Sequence, residues 1–133
     1  MAEKDDKKQT PPRQTMQQRR AAFALERVQQ AAKNKEINHK EYRSHAASLP
    51  AMIHINGLGQ TAAFCLQKGE TYKVLYDLLS DWLTQPGQPY HGRQDLITGI
   101  TTCDMHRYRL AQAEAIVLLD WVKRFAKALM PDD

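Results

Sequence analysis

The feature that most constrains this chain lies near its end. Tyr108, Ala111, Ala115, Leu118, Val122, Phe125 and Leu129 recur at alternating steps of three and four residues. That spacing keeps them on one side of an α-helix and describes the seam of a helical bundle. Ile116, Leu119 and Trp121 add apolar surface on other sides of the same helix. A helix that is apolar on more than one side needs neighbours around it. The segment from about Thr102 to Met130 is therefore predicted to be the longest helix and the central one, with Pro131 closing it.

The remaining chain supplies helices to surround it. Thr15 reads as an N-cap with Gln18 as its capping-box partner, and Ala21, Leu25, Val28 and Ala32 then mark one face. Asn34-Lys35 ends this helix. A second helix is expected from about Asn38 to Ser48, with Tyr42, Ala46 and Leu49 on its inner side. Pro50 cannot donate to the helical ladder, so the helix is expected to stop or kink there. Pro50 can instead open a new short helix, made apolar by Met52, Ile53 and Ile55. Gly57 suits a left-handed, helix-ending position. The next helix is predicted over Leu58–Lys68, with Ala62, Ala63, Cys65 and Leu66 inward and Gly69 at its end. Glu70–Leu83 follows, with Val74, Leu75, Leu78, Leu79 and Trp82 as its apolar face. Gln85-Pro86-Gly87-Gln88-Pro89 is a turn-rich loop, and a short helix is expected around Asp95–Ile100. No period-two alternation bounded by hairpin turns argues for a strand, and no repeat at solenoid periods is present. The predicted fold class is all-α, a compact single-domain bundle of five to seven helices over residues 14–131 with a long C-terminal helix. Residues 1–13, charged, polar and ending in Pro11-Pro12-Arg13, read as a flexible N-terminal tail.

Composition narrows the function classes. A chain of 133 residues with 42 % apolar and 26 % charged residues can bury a core without disulfides or a structural metal. Its two cysteines, Cys65 and Cys103, fall within predicted helices and read as reduced thiols of a cytoplasmic protein. No apolar run approaches the roughly 18 residues that a membrane helix needs. The charged start, Met1-Ala-Glu-Lys-Asp-Asp-Lys-Lys, does not read as a secretory signal. The net charge of +4 is compatible with an anionic partner without demonstrating one.

Residues able to carry catalysis do not converge. Of the five histidines, His39 and His45 are six apart and fall on opposite helix faces. Cys103 and His106 could share a face, but two ligands do not make a zinc site, so no metal or cofactor is expected. His45 or His54 could serve as a general base on RNA, yet no acid or base is spaced to pair with either. Asn56-Gly57-Leu58-Gly59-Gln60 precedes a helix whose amides could hold a phosphate. It lacks the lysine and hydroxyl of a nucleotide loop, so a tight helix-to-helix corner is the preferred reading. The basic residues say more. Arg13, Arg20 and Arg27 repeat every seven, nearly on one face, with Arg19 adjacent, and Lys123, Arg124 and Lys127 cluster late in the last helix. Some of these have ordinary explanations, such as Arg20 pairing with Glu114 or cations answering a helix dipole. The others could track phosphates. Tyr90, in the loop, is the expected exposed aromatic for base stacking, whereas Tyr42, Tyr72 and Tyr108 are expected inside.

A family resemblance extends this reading. Gln18-Arg19-Arg20-Ala21, Tyr42, Leu49-Pro50, the run Ile55-Asn56-Gly57-Leu58-Gly59-Gln60-Thr61-Ala62-Ala63-Phe64, then Tyr108, Glu114 and Trp121-Val122-Lys123-Arg124-Phe125-Ala126 stand in an order that resembles the small subunit of Cmr complexes, the type III-B CRISPR effectors. The resemblance spans roughly residues 17–130. It implies a non-catalytic, RNA-contacting helical subunit of an antiviral ribonucleoprotein. The partners implied are the backbone and large Cmr subunits, CRISPR RNA and target RNA, with copies stacking along the complex. The RNA-binding candidates are Arg19, Arg20, Arg27, Arg43, Lys68, Lys73, Lys123, Arg124 and Lys127. Two other readings remain: a helical protein-interaction scaffold without RNA contact, and a small metal-independent ribonuclease using His45 or His54.

Overall fold

The computed structural model describes residues 13–130, and the proposed tail, residues 1–13, lies outside the described residues except for Arg13. Five helices follow in order: α1 (Met16–Lys33), α2 (His39–Gln67), α3 (Glu70–Leu83), α4 (Leu96–Thr102) and α5 (Met105–Leu129). No strand occurs among the described residues, in agreement with the all-α class read from the sequence.

Local chemistry sets most of the helix starts. Thr15 caps α1 through a reciprocal box: the Gln18 amide donates to Thr15 Oγ1 at 3.1 Å, and the Thr15 amide donates to Gln18 Oε1 at 2.9 Å. Asn38 caps α2, Asp95 caps α4 and Asp104 caps α5, each accepting from a backbone amide three residues on. Such side chains answer amides that have no carbonyl partner within the helix, each worth about 1 kcal/mol. The last helix begins at Met105 rather than at Thr102, because Asp104 restarts the chain after α4. Cys103 consequently lies between helices and not inside one.

α2 corrects the expectation that a helix stops at Pro50. The helix runs through the proline, which is buried between Leu49 and Ile53. The core contacts of Leu49 and Ile53, both fully buried, outweigh the ladder bond that proline cannot supply to the Ala46 carbonyl. The real break is at Gly57, whose φ of 86° and ψ of 159° are not helical. The positive φ agrees with the expectation, and a second helical segment follows from Leu58, as the sequence predicts, although the extended ψ is not that of a left-handed helical cap.

α5 is central: it packs against α1, α2 and α3. Its inward residues are Ala111, Ala115, Leu118, Leu119, Val122 and Ala126, facing Ala24 and Val28 of α1, Leu49, Ile53 and Leu58 of α2, and Leu75, Leu79 and Leu83 of α3 within one core. Some positions assigned inward from apolarity alone are outside it. Ala63 and Leu66 are exposed on α2 and Leu129 is 43 % exposed; Ile55, read only as making its helix apolar, is 79 % exposed. The buried line of α1 runs through Ala24, Val28 and Ala31, with Ala21, Leu25 and Ala32 at its edges.

Tyr90 is the clearest correction. It is fully buried, not exposed in its loop, and its ring lies across Gly99 so closely that a Cβ there would overlap the ring. The Tyr90 amide donates to the Leu83 carbonyl at 3.0 Å, which ties the loop back onto the end of α3.

Candidate functional site

The charged groups at the α1–α5 contact are built around Glu114. Arg20 donates to it twice, Nε to Oε2 at 2.7 Å and Nη2 to Oε1 at 2.9 Å. The indole of Trp82, from α3, donates to Oε2 at 2.8 Å. One carboxylate thus joins three helices. Burial pushes the Glu114 carboxyl up, but the hydrogen bonds from Arg20 and Trp82 and the Arg20 charge outweigh it and hold it below the ordinary carboxylate range. Arg20 is accordingly a structural cation, one of the two roles its sequence position suggests. Gln17 approaches Trp121 while Arg20 approaches Glu114, so α1 runs antiparallel to α5.

The nine candidate cations sit on four helices and their ends. Arg20, Arg27 and Lys73 are matched by acids: Arg27 pairs with Asp81 at 2.8 Å and lies over the Phe23 ring, and Lys73 pairs with Asp77 at 3.0 Å. Arg43 is half-buried on α2 and is itself engaged. Lys68, at the end of α2, is exposed and places its ammonium 5.8 Å from the Phe64 ring centre. Arg19 is exposed on α1. Lys123, Arg124 and Lys127 lie within little more than one turn at the end of α5, with Arg124 and Lys127 exposed and Lys123 half-buried. Among the described residues, none of these three has an acid partner within ion-pair distance. Among the described residues they form a cluster of cations without ion-pair partners, gathered into a single stretch of helix.

Beside this cluster, Gln17, Val117, Asp120, Trp121 and Arg124 line a shallow open hollow between the start of α1 and the second half of α5. From the sequence, Trp121 reads only as extra apolar surface. The signal available is its place one position before the buried Val122, at the edge of the seam.

The other candidate chemistry resolves into structure. The Leu58 amide donates to Gln112 Oε1 and the Gly59 amide donates to Tyr108 Oη, both at 2.9 Å. The amides that could have met a phosphate are therefore already used, and a Cβ on Gly57 would stand 3.3 Å from Tyr108 Oη. The glycine run is a helix-to-helix corner. His39 Nε2 lies 3.0 Å from the Ala31 carbonyl and 3.1 Å from that of Asn34, closing the end of α1. His45 stacks on Tyr72 with ring centres 3.7 Å apart, and burial lowers its pKa against the raising effect of Glu41. His54 is exposed. Burial also raises the Cys65 thiol to about 11. No group of three or more metal-ligating side chains occurs among the described residues. No helix among them is long and apolar enough to cross a membrane.

Comparison with known proteins decides the family. The model of the CRISPR-associated protein family Cas_Cmr5 matches residues 16–129. This chain belongs to the Cmr5 family. Its similarity to the CRISPR system Cmr subunit Cmr5 of Thermus thermophilus is 31 % identity over 113 residues, covering 84 % of this chain and 93 % of that protein. The crystal structure of a CRISPR-associated Cmr5 family protein from Thermus thermophilus superposes with a TM-score of 0.74 at 31 % identity, covering 89 % of this chain and 100 % of the other. The Cmr5 match includes every helix, so α1 through α5 are family elements and the cation cluster lies on the last of them.

Proposed function

We propose that this Cmr5-family chain is a non-catalytic, cytoplasmic subunit of a type III-B CRISPR effector that contacts the guide or target RNA backbone. Its partners are the backbone and large Cmr subunits, CRISPR RNA and target RNA, and copies of it stack along the complex. The observation that carries the reading is the Lys123–Arg124–Lys127 cluster, three cations in about one turn with no acid partner among the described residues. Cations left uncompensated on a folded surface exchange small counterions for phosphates, and contacts of this kind hold RNA without reading its sequence. Sequence recognition then falls to base pairing, as in other RNA-guided assemblies. Residues 14–131 act as one helical unit in this role.

The exposed Leu110, Val117 and Met105 on α5 favour a second reading, a scaffold that meets proteins alone. Tagged purification from the native host separates the two. Recovery of larger Cmr proteins with CRISPR repeat-derived RNA that cross-links to this chain supports the RNA role. Recovery of the protein partners with no cross-link to this chain supports the scaffold.

A further inference from the structure

We infer that the hollow around Trp121 is a stacking site for one unpaired base of single-stranded RNA. This rests on the RNA-contacting reading above and assigns that surface a second kind of contact, to a base as well as to phosphates.

Trp121 is half-buried beside the closed seam of α5. It is held from two sides. Its indole N–H donates to Gln17 Oε1 of α1 at 3.3 Å, and the Phe125 ring stacks on it at 5.7 Å between centres with 28° between planes. A large aromatic ring, fixed in orientation and still open to solvent, is the platform on which single-stranded nucleic acid stacks. The surroundings favour a base over an apolar protein side chain. Gln17, Asp120 and Arg124 are polar, and only Val117 extends the apolar floor. A nucleobase has both characters, an apolar face and an edge of donors and acceptors.

The charged groups lining the hollow match the two parts of a nucleotide. The Asp120 carboxylate accepts from an exocyclic amine, and Arg124, without an ion-pair partner among the described residues, takes the phosphate, with Lys123 and Lys127 on the same stretch of α5. Adenine, with a broad face and an exocyclic amine, should therefore bind better than uracil, which has no such amine.

The test exploits the two tryptophans of the chain. Trp82 is 3 % exposed and engaged with Glu114, so contact quenching reports on Trp121. The full chain is titrated with oligoadenylate and with an abasic ribose–phosphate strand of equal length, and occupancy is measured separately by anisotropy. Quenching at matched occupancy by oligoadenylate and not by the abasic strand is the expected result. Trp121→Ala should weaken oligoadenylate binding about tenfold and leave the abasic strand unchanged. Arg124→Ala should weaken both. Circular dichroism melts of the variants establish that they fold, and quenching of the unaltered chain stands independently of them. Equal quenching by both strands, or none at full occupancy, overturns the base site and leaves the phosphate contacts intact. Failure of both strands to bind, alone and within the assembled complex, overturns the RNA reading and this inference together. Loss of partner subunits from Trp121→Ala, with RNA binding unchanged, makes the hollow a protein-docking surface and also overturns it.

Discussion

Replacing Glu114 by alanine removes a group that ties α1, α3 and α5 together by side-chain hydrogen bonds. Arg20 is 17 % and Glu114 12 % exposed at the side chain, so water replaces little of what the substitution takes away. Leaving the Trp82 N–H without an acceptor costs about 1–3 kcal/mol. Removing one partner of a buried ion pair costs about 3–5 kcal/mol, and the residual exposure of Arg20 sets the low end of that range. The two losses share one carboxylate and are not additive, so the expected total is about 3–4 kcal/mol. With a urea slope of about 1.5 kcal/mol/M, the unfolding midpoint should fall by about 2 M at unchanged slope. The pH dependence has a definite sign. The folded Glu114 carboxyl titrates below its ordinary range, so the unfolded state binds the proton more readily. Its stabilisation is fully present above about pH 5 and is lost as the pH falls through the folded value. Urea titrations from pH 7 to pH 3 should show a decline in stability that is shallower in Glu114→Ala. A midpoint shift below about 0.5 M, or an unchanged acid decline, would refute the argument that this carboxylate holds the three helices together.

Other perturbations separate shape from chemistry. Gly99→Ala places a methyl group within the Tyr90 ring and should cost about 2–3 kcal/mol, read as a loss of thermal midpoint; a neutral result would mean the loop does not hold Tyr90 there. Tyr90→Phe should be neutral or stabilising, because the buried Tyr90 hydroxyl has no hydrogen-bond partner among the described residues; a loss above about 1 kcal/mol in the same melts would show that it has one in solution. Gly57→Ala should destabilise by about 1–2 kcal/mol in urea unfolding, since alanine resists a φ of 86° and its Cβ meets Tyr108.

What is legible in the sequence is what depends on neighbours in the chain. The Thr15–Gln18 box, the span Glu70–Leu83 and the break at Gly57 are local, and each reads correctly from residue types alone. The Arg20–Glu114 pair joins residues 94 apart and is visible in the sequence only as one option for Arg20. Pro50 misleads because a local rule about ladder bonds meets a segment whose burial overrides it. Tyr90 misleads because its slot is made by the absence of a side chain at Gly99, and no periodic pattern marks such a space. The seven-residue spacing of Arg20 and Arg27 places them on one face correctly, but that face meets Glu114 and Asp81, so their charges are neutralised within the fold. Lys123, Arg124 and Lys127 differ only in what the other helices place opposite them, which residue order alone does not reveal.

The central claim is that the Lys123–Arg124–Lys127 turn of α5 holds RNA by its phosphates. Its most direct test is the salt dependence of RNA retention by the assembled complex, with the native chain and with Lys123, Arg124 and Lys127 all changed to glutamate. The expected result is weaker retention and a log–log slope against salt that is smaller by about 2–3, since each phosphate that is no longer neutralised removes one unit or slightly less. An unchanged slope, with the complex fully assembled, would contradict the claim.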